Sequence, residues 1–172
     1  LMDGTIEVES KQGKGSTFTV TIPCRKASKE DSLVKKNSDL HNKNCLNGVR
    51  ILLVEDNEIN TEIARELLTE EGCIVETAND GVACNDMIEK ADADYYKMIL
   101  MDIQMPNMDG YKATQAIRRL EDKKKAGIPI IAMTANAFEE DRKKALAKGM
   151  NGHIAKPVDA EKLKKIILSA LR

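Results

Sequence analysis

The chain has 172 residues, of which 32% are charged, yet its formal net charge is only −1. That balance excludes a nucleic-acid binder working through a strong basic field, and 3% aromatics without tryptophan exclude a base-stacking platform. Its longest apolar runs, about five residues, are far too short to span a bilayer, and no signal-peptide pattern opens the chain. Four cysteines (Cys24, Cys45, Cys73 and Cys84) form no C-x-x-C pair, and two histidines are too few to complete a metal site with them. Free thiols and a cytoplasmic location are expected, with Cys73 and Cys84 as small core fillers.

Residues 1–24 alternate as strands do: Thr5-Ile6-Glu7-Val8-Glu9, a turn in "KQGKGS", then Thr17-Phe18-Thr19-Val20-Thr21-Ile22. This is a β-hairpin pattern, and a lone hairpin is marginal in water, so it calls for a sheet that it does not bring along. Residues 25–48 are polar and charged with almost no apolar periodicity, which predicts a linker.

Residues 49–172 change texture. Arg50–Val54 is a strand, and in "NEINTEIARELLTEEG" Ile59, Ile63, Ala64, Leu67 and Leu68 fall on one helical face that ends at Gly72. Cys73–Ala78 predicts a strand, Gly81–Lys90 a helix and Met98–Met101 a strand. Ala113, Ala116, Ile117 and Leu120 trace the next helix. Pro129–Met133 then reads as a strand, Ala137–Lys148 as a helix and His153–Ala155 as a short strand. Asp159 caps a last helix carrying Leu163, Ile166, Ile167 and Ala170 on one face. Five strands alternating with five helices predict an α/β domain whose parallel sheet is covered on both faces. Right-handed crossovers favour the strand order 2-1-3-4-5.

Ligand sites in such folds lie beyond the carboxyl ends of the strands. There the sequence places Glu55 and Asp56 after strand one, Asp102 ending strand three, Thr134 after strand four and Lys156 after strand five. Clustered carboxylates repel one another unless a cation balances them, and an all-oxygen site suits Mg2+. Lysine adds a compact positive charge and threonine a hydroxyl donor. Together these parts describe a phosphoryl acceptor: an aspartate nucleophile, a metal, and two groups for the transferred oxygens.

The segments "ILLVEDNEIN", "ILMDIQMPNMDG", "IIAMTANA" and "HIAKP" resemble the signatures of a response-regulator receiver domain across Val49 to Arg172. The resemblance implies that Asp102 is the phosphoacceptor, and that Glu55, Asp56, Asp102 and the backbone carbonyl of Gln104 organise Mg2+. It also implies that Thr134 and Lys156 hold the phosphoryl group, that Lys156-Pro157 is a cis bond, and that His153 occupies a switch position. Two residues depart from the family pattern: Glu55 stands where Asp is commoner, and His153 where an aromatic is usual.

"DGTIEVESKQGKGSTFTVTIP" in turn resembles the closing segment of a sensor histidine kinase ATP-binding domain. The expected organisation is therefore a kinase fragment over 1–24, a linker over 25–48 and a receiver over 49–172, cut from a hybrid histidine kinase. The expected partner is a phosphohistidine donor, either a kinase or a phosphotransfer domain. A homodimer through the domain's fourth helix, fifth strand and fifth helix is also implied, with no nucleic-acid or membrane contact. Because the sequence ends soon after the last helix, output through protein contacts is expected, with at most self-catalysed phosphorylation and dephosphorylation. A phosphatase on a similar sheet would want an acid at position 104, where this chain has Gln104. A receiver-like module that binds without phosphorylation is the other alternative.

Overall fold

A computed structural model of the chain describes residues 4–23, 46–135 and 139–171, in two units split between Asn42 and Lys43. Most of the linker, Cys24, Cys45 and the start of the helix expected from Ala137 lie outside the described residues.

In the first unit, β1 (Thr5–Lys11) pairs antiparallel with β2 (Gly15–Thr21). Ile6 sits opposite Val20 and Val8 opposite Phe18, so these four side chains share one face, and all four are exposed.

The second unit runs β3 (Arg50–Val54), α1 (Glu58–Glu70), β4 (Ile74–Ala78), α2 (Gly81–Lys90), β5 (Met98–Asp102) and α3 (Gly110–Arg118). It continues with α4 (Lys123–Ala126), β6 (Ile130–Thr134), α5 (Glu139–Ala147), β7 (Gly152–Ala155) and α6 (Ala160–Ala170). The strands form one parallel sheet in the order β4-β3-β5-β6-β7, which is the expected 2-1-3-4-5. The period-two alternation of each strand feeds two separate cores. Leu52, Val54, Ile99, Met101 and Ile130 pack with Cys84, Ile88, Ile117 and Ala145. Ile51, Leu53, Met98, Leu100 and Met133 pack with Ala64, Leu68, Leu163 and Ile167 on the opposite face. Every residue of β5 is buried.

The helix ends follow local chemistry. Asn57, Asp80, Asp109, Asp122 and Asp159 each accept a first-turn backbone N–H. Gly72 follows α1 with φ +89°. Cys73 and Cys84 are free and buried, and burial pushes their thiols up to about 11 and about 12.

Three features differ from the sequence reading. A sixth helix, α4, stands between α3 and β6; at four residues it is too short to show an apolar period, and Asp122 caps it. Ile59 and Ile63 are 71% and 48% exposed, because α1 reaches the sheet through the narrow stripe of Ala64 and Leu68. Leu46, in the stretch read as linker, is fully buried in the α1–α6 core, and Gly48 N–H donates to Gly72 O at 2.9 Å.

Two contacts tie loops to this frame. Arg118 donates to Ala126 O (2.6 Å), Asn151 Oδ1 (2.8 Å) and Gly149 O (2.9 Å), joining the end of α3 to α4 and to the α5–β7 turn. Glu76 accepts from Tyr96 (2.6 Å), Arg50 (2.7 Å) and Tyr95 (2.9 Å). The Tyr96 hydrogen bond, against the opposing effect of burial and with help from Tyr95 and Arg50, holds the Glu76 carboxyl below the usual range.

A carboxyl depressed on folding stabilises at neutral pH, and that contribution disappears as pH falls through its folded-state value. In urea melts between pH 7 and pH 3, Glu76→Gln should therefore lose less stability on acidification than the native chain; parallel pH profiles would refute this. Gly110 offers a second check, since a Cβ there would lie 2.1 Å from the Asp102 carbonyl oxygen. Gly110→Ala should cost about 3 kcal/mol in the same melts, and a loss below about 1 kcal/mol would contradict the packing.

Candidate functional site

The parallel sheet brings the carboxyl ends of β3, β5, β6 and β7 to one edge, so the residues that follow them meet by topology. Glu55 N–H donates to Ala78 O at 3.0 Å, fixing the acid pair beside β4, and Lys156 N–H donates to Thr134 O at 2.7 Å, fixing the lysine beside β6. The Lys156-Pro157 bond is cis.

The centre of the cleft is the Lys156 ammonium. Its Nζ lies 2.6 Å from Glu55 Oε2 and 2.8 Å from Asp102 Oδ2. Glu55 and Asp102 are buried, whereas Asp56 is exposed, and carboxylate oxygens of all three lie within 4.8 Å of one another. Asn60 Nδ2 donates to the second Glu55 oxygen at 2.9 Å, and Gln104 N–H reaches Asp102 Oδ1 at 3.3 Å. Burial pulls the Lys156 ammonium down, but its hydrogen bonds to Asp102 and Glu55 and their charges outweigh that and hold it above the usual lysine range. Three carboxylates against one ammonium leave two negative charges uncompensated, a set that favours a hard divalent cation.

The residues open onto a cavity of about 310 Å³ that also includes Gln104, Thr134, Tyr111 and Lys144. Glu55, Asp56, Asp102, Gln104, Thr134 and Lys156 are thus brought together here. His153 is not; it is half-buried in β7, opposite Ala132, and lines a separate cavity with Ile166 and Ser169.

The sequence reading missed three residues. Asn60 orients Glu55, and its only signal was a position one turn into a helix capped by Asn57. Tyr111 and Lys144, from α3 and α5, line the cleft with the Lys144 Nζ 4.9 Å from the Tyr111 ring centroid. Nothing in their 33-residue separation marks them as a pair.

Known proteins share this fold and part of this sequence. The family model described as response regulator receiver domain matches residues 51–168. Hybrid signal transduction histidine kinase K of Dictyostelium discoideum is 32% identical over 177 residues, covering 99% of this chain and 14% of that protein. The chain spans 6% to 18% of the length of the curated relatives it resembles. Among solved structures, it is similar to the receiver domain of a Pseudomonas aeruginosa sensor histidine kinase with a magnesium ion coordinated in its active-site cleft. That match has 39% identity and TM-score 0.65, covering 72% of this chain and 98% of that one. It also resembles a Saccharomyces cerevisiae receiver domain crystallised with a histidine phosphotransfer protein, at 29% identity and TM-score 0.64, covering 71% of this chain and 88% of that one. With its sheet order, its acid-lined cleft and a family match over most of its length, the chain belongs to the response-regulator receiver domain family.

Proposed function

We propose that Asp102 accepts a phosphoryl group from a phosphohistidine, making this chain a phosphorelay module. The observation that carries the proposal is the Asp102 carboxylate, held on a rigid strand end beside Lys156 and Thr134 and opening onto the cleft. An Asp102 oxygen attacks phosphorus; the new O–P bond forms as the donor's N–P bond breaks, and the leaving imidazole keeps the electron pair and takes a proton from solvent. Lys156 already touches Asp102, so its ammonium can follow the charge onto a phosphoryl oxygen, and the Thr134 hydroxyl can donate to another.

The donor set fits a divalent cation, and Mg2+ is the proposed one. Asp56, Asp102 and the Gln104 carbonyl would hold it directly. Glu55, whose two oxygens are engaged by Lys156 and Asn60, would act through water. When bound, such an ion neutralises charge on the transferring phosphoryl oxygens.

The phosphohistidine donor would dock beside the cleft, where the exposed Ile59 and Ile63 offer apolar contact next to Asn60. Its chemistry follows the phosphotransfer protein bound to the yeast relative. Output would pass through the face built from α5, β7 and α6, by a population shift in which His153 acts as the switch residue, and a homodimer through this face is part of the proposal. The hairpin is read as the closing strands of a kinase ATP-binding domain. Its exposed apolar face and the hybrid kinase aligned along 99% of the chain support that reading.

Incubated with Mg2+ and a small acyl phosphate, the native chain should gain one base-labile phosphoryl group by intact mass, and Asp102→Asn should gain none. An undiminished adduct on the variant would refute Asp102 as acceptor. Lys156→Met removes the cation between two buried acids and should cost about 2 kcal/mol without metal, discounted for partial exposure. Saturating Mg2+ should restore more stability to this variant than it adds to the native chain. Equal gains in both would count against a shared site.

A further inference from the structure

The Gln104 carbonyl belongs to an irregular loop over 103–109, tied to the sheet at its start by Ile103 N–H to Met133 O (3.3 Å) and Gln104 N–H to Asp102 Oδ1 (3.3 Å). The loop closes on itself through Gly110 N–H to Ile103 O (3.0 Å) and Met108 N–H to Pro106 O (2.6 Å). Its far half is held by the neighbouring β4–α2 junction. Asn107 Nδ2 donates to Asp80 Oδ2 at 2.7 Å, Gly81 N–H donates to Met108 O at 3.1 Å, and Asn85 Nδ2 reaches Met108 Sδ at 3.4 Å. The fit is close, since a Cβ on Gly81 would stand 2.7 Å from Met108 O.

Asp80 has two tasks. Its Oδ1 caps α2 by accepting from Ala83 N–H at 2.8 Å, and its Oδ2 takes Asn107. An N-cap needs one side-chain oxygen, which serine would supply without burying a charge. Yet the position holds a carboxylate that is only 8% exposed. Asn107 has φ +57°, in the left-handed region that asparagine tolerates better than most side chains, and this turns its amide toward Asp80. The second carboxylate oxygen, which the cap does not use, is what joins α2 to the loop.

We propose that Asp80 and Asn107 are positioning residues for the cation site, their hydrogen bond holding the 103–109 loop so that the Gln104 carbonyl stays at the Asp56–Asp102 cleft. This rests on the reading of that cleft as a divalent-cation site. A loop loosened at Asn107 has to be ordered when the ion binds, and one such hydrogen bond corresponds to about three- to tenfold in affinity.

The test is calorimetric titration of Mg2+ into the full chain without phosphodonor, beside melts of the metal-free protein. Asp80→Ser keeps an α2 cap but cannot reach Asn107, and Asn107→Gly keeps the left-handed backbone without the side chain. Each should bind Mg2+ about three- to tenfold more weakly, with metal-free melting within a few degrees of native. The double variant should be no weaker than the worse single one, because both cut the same contact. Asp80→Asn, which can cap α2 and meet a flipped Asn107 amide, should return to near-native affinity. Unchanged affinity in both single variants, additive losses in the double, or melting losses that account for the weakening would overturn the inference alone. A native chain that takes up no Mg2+ would overturn the cation reading and the inference with it.

Discussion

The Lys156 ammonium lies between Glu55 and Asp102, two acids that the fold forces together beneath a third. Parallel pairing of β3, β5, β6 and β7 brings the acids to one edge whether or not their charges agree. Without a cation on β7's trailing residue, the sheet would end in mutually repelling carboxylates. The lysine is anchored to match, its backbone N–H held by Thr134 O and its side chain largely shielded. One ammonium does not neutralise three acids, and that deficit makes the cleft receptive to a further cation.

Scaffold and chemistry separate cleanly. The two cores that clamp the sheet are built mainly from the alternating apolar residues of the strands and one stripe of each major helix, with a few loop residues such as Leu46 and Tyr96. Charged residues gather where the strands stop. The loops carrying them are disciplined one by one: Asn60 orients Glu55, the α2 cap reaches the 103–109 loop, and Arg118 ties the far ends of α3 and α4.

Much of this was legible in the chain itself. Strand runs such as Met98–Met101 and helix faces such as Leu163–Ile167 carry their period openly, and the α/β rule then puts Glu55, Asp56, Asp102, Thr134 and Lys156 at one edge. Contacts that join distant positions without a period were not legible. Asp80 and Asn107 stand 27 residues apart, and nothing in the sequence marks the bond between them. Leu46 sits in polar surroundings that hide its burial, and Ile59 and Ile63 share a periodicity with Leu68 but not its depth. Periodicity gives the direction a side chain takes from its helix, whereas burial depends on how far the sheet extends beneath it.

The complete burial of β5 carries one more implication. A strand covered on both faces and paired along both edges has no slack, so Asp102 cannot move far whatever happens to it. The chemistry proposed for that carboxylate would have to be expressed by displacement elsewhere. The four-residue β7 has a neighbour on one side only, and the β6–α5 connection starts at the cleft's own rim. The cleft thus spans the most constrained strand of the sheet and the neighbourhood of its shortest edge strand.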